Sequence, residues 1–140
     1  MTSIKCLVRL VFLCFFCVGF AQQSAVYTNE AVNFQSALAL YNTQQYQSAQ
    51  LLFNSVELNA SDTFLKSNAA YYNANCAVRL NQPNAELLVE SFVKHYPSST
   101  KRNSAFFEVA NYYFENAKYS YARKWFEKVD RASISKSNME

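Results

Sequence analysis

Apolar residues recur along this chain with the period of a helix rather than that of a strand. Ala49, Leu52, Phe53 and Val56 fall at i, i+3, i+4 and i+7, which is one face of a helix over 47–58. A longer stripe of Leu65, Ala69, Tyr72, Cys76 and Leu80 predicts a helix over 63–80. The same reading gives helices over 29–43, 83–95, 101–116 and 120–131. The punctuation agrees with these bounds. Thr28 is placed to cap the first helix, with Glu30 favourable in its first turn; Ser61 or Asp62 caps the third, and Ser98, Ser99 or Thr100 the fifth. Pro83 is tolerated in the first turn of the fourth helix. Pro97 ends that helix by pushing Tyr96 out of helical geometry.

The pattern repeats. Sliding the segment that begins at Asn33 along by 73 residues lays Phe34 on Phe107, Ala37 on Ala110 and Leu40 on Tyr113. It also lays Tyr46 on Tyr119, Ala49 on Ala122, Phe53 on Phe126 and Val56 on Val129. A middle copy sits half-way, with Ala85 near the midpoint between Ala49 and Ala122 and Pro97 closing it; there Gln82 and Val89 replace the Tyr and the Phe. Each copy reads as two helices, over about 29–60, 63–97 and 100–131. Small residues at Ala37, Ala49, Ala85, Ala110 and Ala122 let paired helices approach. Tyr46, Phe53, Tyr113, Tyr119 and Phe126 fill the space between successive hairpins, since no hairpin buries its apolar face alone.

Composition sharpens this to an all-α chain. The only glycine is Gly19. Phosphate-binding loops, dinucleotide fingerprints, calcium loops and two-residue hairpin turns all lean on glycine, so nucleotide-binding α/β folds and β-rich folds are poor fits. Gly19 lies in a segment, 1–21, with the marks of a signal peptide: Lys5 and Arg9, an apolar run over 10–18, and small residues Gly19 and Ala21 ahead of a polar start at Gln22. The run is too short for a spanning helix, which needs about 20 apolar residues. Cleavage after Ala21 leaves a polar lead-in, 22–28, and the repeats. It removes Lys5 and Arg9 and leaves 11 Lys and Arg against 10 Asp and Glu, so nothing favours nucleic acid or an anionic membrane. Cys6, Cys14 and Cys17 leave as well. Cys76 then stands alone, without an intrachain disulfide or a zinc set, and reads as a small buried hydrophobe. Neither Cys14 after Leu13 nor Cys17 after Phe16 fits a lipoprotein cleavage site.

These residues resemble the tetratricopeptide repeat, whose signature alternates large, small and aromatic positions before a closing Pro. The last copy carries it through Phe106, Val109, Ala110, Tyr113, Tyr119, Ala122, Phe126 and Val129; the first through Ala37, Leu40, Tyr46, Ala49 and Phe53; the middle through Ala85 and Pro97. The resemblance covers 29–131 and implies three tandem αα-hairpins in a short right-handed superhelical solenoid. The run from Phe92 through Tyr96-Pro97-Ser98 to Tyr113-Phe114 is similar to exported bacterial envelope repeat proteins of the Tol-Pal accessory and outer-membrane assembly type, with a Bacteroidota-like style. That address is the periplasm or the periplasmic face of the outer membrane. In this family the first helix of each hairpin lines a groove for other proteins or peptides. Here it offers Phe34, Leu38, Tyr41 and Asn42, then Asn75, then Phe107, Asn111, Phe114 and Glu115. Rings supply contact area and amides bond an extended backbone. The carboxylate-clamping chaperone-binding subfamily has Lys and Asn where Phe34 and Leu38 stand, so that activity is not implied.

The candidate chemistries are weaker than the groove. His95 is the only histidine and is expected to meet its own helix's terminal carbonyls rather than serve as base or ligand. Glu86, Glu90 and Lys94, like Arg123, Glu127 and Arg131, are spaced for i,i+4 pairs on a solvated face. Lys101-Arg102 reads as a solvated helix start, and Asn59-Ala60-Ser61 as a chance sequon. The expectation is a non-enzymatic scaffold without cofactor or metal. Residues 132–140 read as a loop entering a further helix, so the chain is expected to be the N-terminal part of a longer array, or to stack or self-associate through its sixth helix. The alternative is an accessory domain of a larger exported enzyme.

Overall fold

The computed structural model describes residues 29–130. The expected leader over 1–21, the lead-in 22–28 with the Thr28 cap, and residues 131–140 lie outside that range. The described residues are all-α, with six helices and no strand: α1 (Asn29–Asn42), α2 (Tyr46–Asn59), α3 (Thr63–Arg79), α4 (Ala85–His95), α5 (Arg102–Glu115) and α6 (Tyr119–Phe126). No helix among them is long and apolar enough to cross a membrane. Each helix packs on the next within its hairpin, α1 with α2, α3 with α4 and α5 with α6. The first helices also touch in sequence, α1 with α3 and α3 with α5.

The three hairpins close the same way. Gln44, Asn81 and Ala117 take positive φ, at 61°, 52° and 59°. In each turn the amide of that residue donates three residues back and the next amide donates five back: Gln44 to Tyr41 and Gln45 to Leu40, Asn81 to Val78 and Gln82 to Ala77, Ala117 to Phe114 and Lys118 to Tyr113. This pair of bonds satisfies helix-end carbonyls and is the usual setting for glycine. The motif recurs at intervals of 37 and 36 residues, as do Ala37, Ala74 and Ala110 on the first helices, all three buried.

The other turns are local. Asp62 caps α3 by accepting from the amides of Phe64 and Leu65. Ser99 Oγ accepts from the Lys101 amide at 3.3 Å and pairs with Ser67 Oγ at 3.1 Å, tying the α5 entrance to α3. Pro83 precedes α4 in a turn closed from the Ala85 amide to the Gln82 carbonyl, rather than lying in the helix's first turn. The sixth helix ends at Phe126 instead of running to 131.

Two apolar clusters share α3. One joins Phe34, Ala37, Ala49, Phe53 and Val56 to Ala69 and Cys76. The other joins Ala70, Tyr71, Ala74 and Val78 to Ala85, Val89, Phe92, Val109, Ala110 and Trp125. From Ser67 to Val78 only Tyr72 is not fully buried, so α3 is enclosed nearly all round. The sequence pattern shows one stripe on this helix; its alanines supply a second.

Candidate functional site

The polar and aromatic side chains that converge across the three first helices form one face. Tyr41 on α1 lies 5.2 Å from the ring of Tyr72 on α3 and 5.4 Å from Tyr46. Arg79 Nη2 on α3 bonds Glu108 Oε2 on α5 at 3.3 Å, with its guanidinium 5.9 Å above the Tyr112 ring. Lys101 Nζ lies 4.9 Å over Tyr71 and 5.4 Å over Tyr72. Cations above ring faces are held by the ring quadrupole. Burial raises the Tyr41 phenol to about 12, against the opposing charge of Arg79. Burial also raises Tyr71, with Glu108 adding to it. Arg79 is driven up on balance: burial alone lowers it, but Tyr41 and Glu108 outweigh that. At neutral pH these phenols are neutral and the guanidinium is charged.

Asn75 on α3 is buried, and its Nδ2 makes no hydrogen bond within ordinary geometry. It is nevertheless near enough to the Tyr71 phenol to oppose part of that group's rise. Asn42 and Glu115 are exposed at the ends of α1 and α5, and Asn111 is half-buried. Phe107 turns to Phe126, at 6.0 Å, and Phe114 to Tyr119, at 5.4 Å. The groove set therefore divides: Tyr41 and Asn75 belong with α3, while Phe107 and Phe114 belong with α6. Phe34 and Leu38 belong to the first core cluster. Arg79, Glu108 and Tyr112 were not legible as partners, because their meeting depends on how α5 is set against α3.

The repeat-packing residues also divide, and Tyr119 pairs with Phe114 inside its own hairpin instead of filling space between successive hairpins. Ala37, Ala49, Ala85, Ala110 and Ala122 are buried with Phe53; Tyr46, Tyr113 and Phe126 are half-buried; Pro97 and Tyr119 are exposed.

A concavity of about 770 Å³ opens between α4 and α6, lined among others by Glu86, Glu90, Lys118, Tyr121 and Lys124. Glu86 accepts from Lys124 Nζ and from the Tyr113 hydroxyl, each at 3.2 Å, and Glu90 accepts from Lys128 Nζ at 2.7 Å. The acidic side chains of α4 thus pair across to the sixth helix and the turn after it, not along their own helix with Lys94. Arg123 and Glu127 do form the i,i+4 pair, at 3.5 Å and well exposed. His95 Nδ1 lies 2.8 Å from the Ser91 carbonyl, held by its own helix. Among the described residues no group of three or more His, Cys, Asp or Glu is placed to hold a metal. Comparison with protein-family models, with curated proteins and with solved structures finds no match for this chain.

Proposed function

We propose that this chain is a non-enzymatic, exported scaffold of the tetratricopeptide-repeat kind that holds another protein in the bacterial cell envelope. One observation carries the reading: the same hairpin closure occurs three times, at intervals of 37 and 36 residues, with an alanine at the matching place on every first helix. A stack of equivalent hairpins presents a repeating face rather than a single deep site, and such faces suit an extended partner. The face across α1, α3 and α5 has the composition for it, with half-buried rings, cations over ring faces and exposed amides at its edges. Its strongest charges, Arg79 and Glu108, are spent on each other. The basic and apolar leader supports export.

Affinity capture from envelope extracts tests the face. Combined Asn42→Ala, Asn111→Ala and Glu115→Ala is expected to weaken retention of the partner by about ten-fold or more. Leu51→Ala, at an exposed position on α2, leaves it unchanged. Equal retention by the triple variant removes this face as the binding surface.

A further inference from the structure

A cavity of about 370 Å³ lies where hairpin 1 (α1 and α2) meets hairpin 2 (α3 and α4), with hairpin 3 (α5 and α6) taking no part. Ala70, Leu88 and Phe92 give it an apolar wall, and its polar side chains include Glu57 from α2, Asn73 from α3 and His95 from α4. Among the described residues no Lys or Arg lines it. The volume is at the small end for ligand cavities, which run about 300–1,000 Å³.

Its polar atoms accept more than they donate. Asn73 is 7% exposed, and its Nδ2 donates to Glu57 Oε2 at 3.2 Å. Asn73 Oδ1 and Glu57 Oε1 accept from no donor among the described residues, and no cation there pairs with the carboxylate. Glu57 lies in the last turn of α2, which has no basic residue, so its charge adds to the negative end of its own helix. That is an unfavourable place for an acid unless a cation meets it. His95 Nδ1 lies 2.8 Å from the Ser91 carbonyl. A carbonyl only accepts, so Nδ1 carries the proton and Nε2 of the neutral ring is one more acceptor. Tyr96 completes the lining, with its ring 5.9 Å from that of Phe92. Burial raises the Tyr96 phenol and the Glu57 charge adds to the rise, which sets the carboxylate near that residue.

We propose that this cavity binds a primary ammonium group on an unbranched alkyl stem, the chemistry of a lysyl side chain or a small diamine. An ammonium has three donors and no acceptor, which matches a lining of acceptors. The stem lies along Ala70, Leu88 and Phe92, and Tyr96 offers a ring to the charge. A guanidinium matches less well, because its fork suits both oxygens of one carboxylate and Glu57 Oε2 already holds Asn73. The amine comes from a separate molecule or from this chain, whose Lys5 and Lys136 lie outside the described residues. The site uses no residue of α5 and neither Arg79 nor Glu108, so it does not rest on the scaffold reading.

His95 is the only histidine, so its ring signals in NMR spectra report on this cavity directly. Pentylamine is titrated into the full chain at constant neutral pH. The contrast is pentyltrimethylammonium, which has the same charge and no N–H donor. Saturable shifts of the His95 signals are expected with pentylamine, weakened about ten-fold or more for pentyltrimethylammonium and in Glu57→Gln. Glu57→Gln keeps an acceptor for Asn73, and unchanged Trp125 emission verifies its fold; should it not fold, the contrast between the two cations on the unaltered chain decides. Saturation of the unaltered chain supports the site and makes the ligand a separate molecule. Saturation that appears only in Lys5→Gln with Lys136→Gln supports it too, and makes the chain's own lysine the occupant. Absence of saturable shifts in both chains overturns the proposal, as does equal binding of the two cations or indifference to Glu57→Gln.

Discussion

Trp125 shows where residue-level reading succeeds and where it stops. The 73-residue repeat puts Phe126 on Phe53, yet the fully buried ring of the last helix is Trp125, while Phe126 is half-buried against Phe107. A repeat aligns backbone positions; it does not decide which of two adjacent large side chains fills the available volume. The indole also lies among charges. Lys128 Nζ is 4.2 Å over the ring, and its N–H is buried without a hydrogen bond of ordinary geometry, though it lies near enough to Glu86 to help lower that carboxyl. For Glu86, burial pushes the pKa up, but Lys124, the Trp125 N–H and the Tyr113 hydroxyl outweigh it, and the balance is downward from the ordinary 4.5. A carboxyl lowered in the folded state stabilises the fold above its unfolded pKa, and that contribution is lost as pH falls through the folded value. Stability is therefore expected to hold from neutral pH to about 5 and to fall as pH drops below that ordinary value of 4.5. Glu86→Gln flattens that acid limb in urea titrations at several pH values, whereas an unchanged acid limb assigns the pH dependence to other carboxylates.

At the scale of the element, helix positions were legible because periodicity and caps agree. All six expected helices occur, with the largest end error at α6, which stops at Phe126 because the chain turns through Glu127 to Val129. Loop geometry was less legible. The left-handed residues are Gln44, Asn81 and Ala117, so an asparagine takes the strained place in only one turn, although Asn42 and Asn116 stand close by in the others. Position relative to the last helical carbonyls decides the matter, not residue preference. A Cβ in this conformation clashes with the following carbonyl, and replacing it with glycine removes the clash at some cost in unfolded-chain entropy. Ala117→Gly is expected to stabilise by about 0.5–1 kcal/mol, and Asn81→Gly by less, since asparagine tolerates the region. Urea midpoints at constant slope check the order. If Ala117→Gly is destabilising, the turn of hairpin 3 does not control the closure of α5 on α6.

For the whole molecule, the central question is whether the hairpins melt separately or together, and α3 decides it. Stacked hairpins are stabilised by their own contacts and by interfaces with neighbours, so a weak interface lets one end open first. Here one helix carries buried residues of both clusters, Ala69 and Cys76 on one side and Ala70, Ala74 and Val78 on the other. Removing hairpin 1 uncovers the side of α3 that carries Ala69 and Cys76, on the helix that also supports Trp125's cluster. The sequence provides a reporter at each end. Trp125 is the only tryptophan and belongs to the second cluster. Cys76 lies in the first, its thiol pushed by burial to about 12, so it resists alkylation until that cluster opens. Tryptophan emission and alkylation of Cys76, resolved by peptide mapping from Cys6, Cys14 and Cys17, are expected to give one urea midpoint. Phe53→Ala should cost about 3–5 kcal/mol as a buried ring deletion. Although Phe53 touches only the first cluster, this variant is expected to move both midpoints together. If the thiol midpoint falls while the tryptophan midpoint stays, α3 couples the clusters only by contact, and hairpins 2 and 3 fold without hairpin 1.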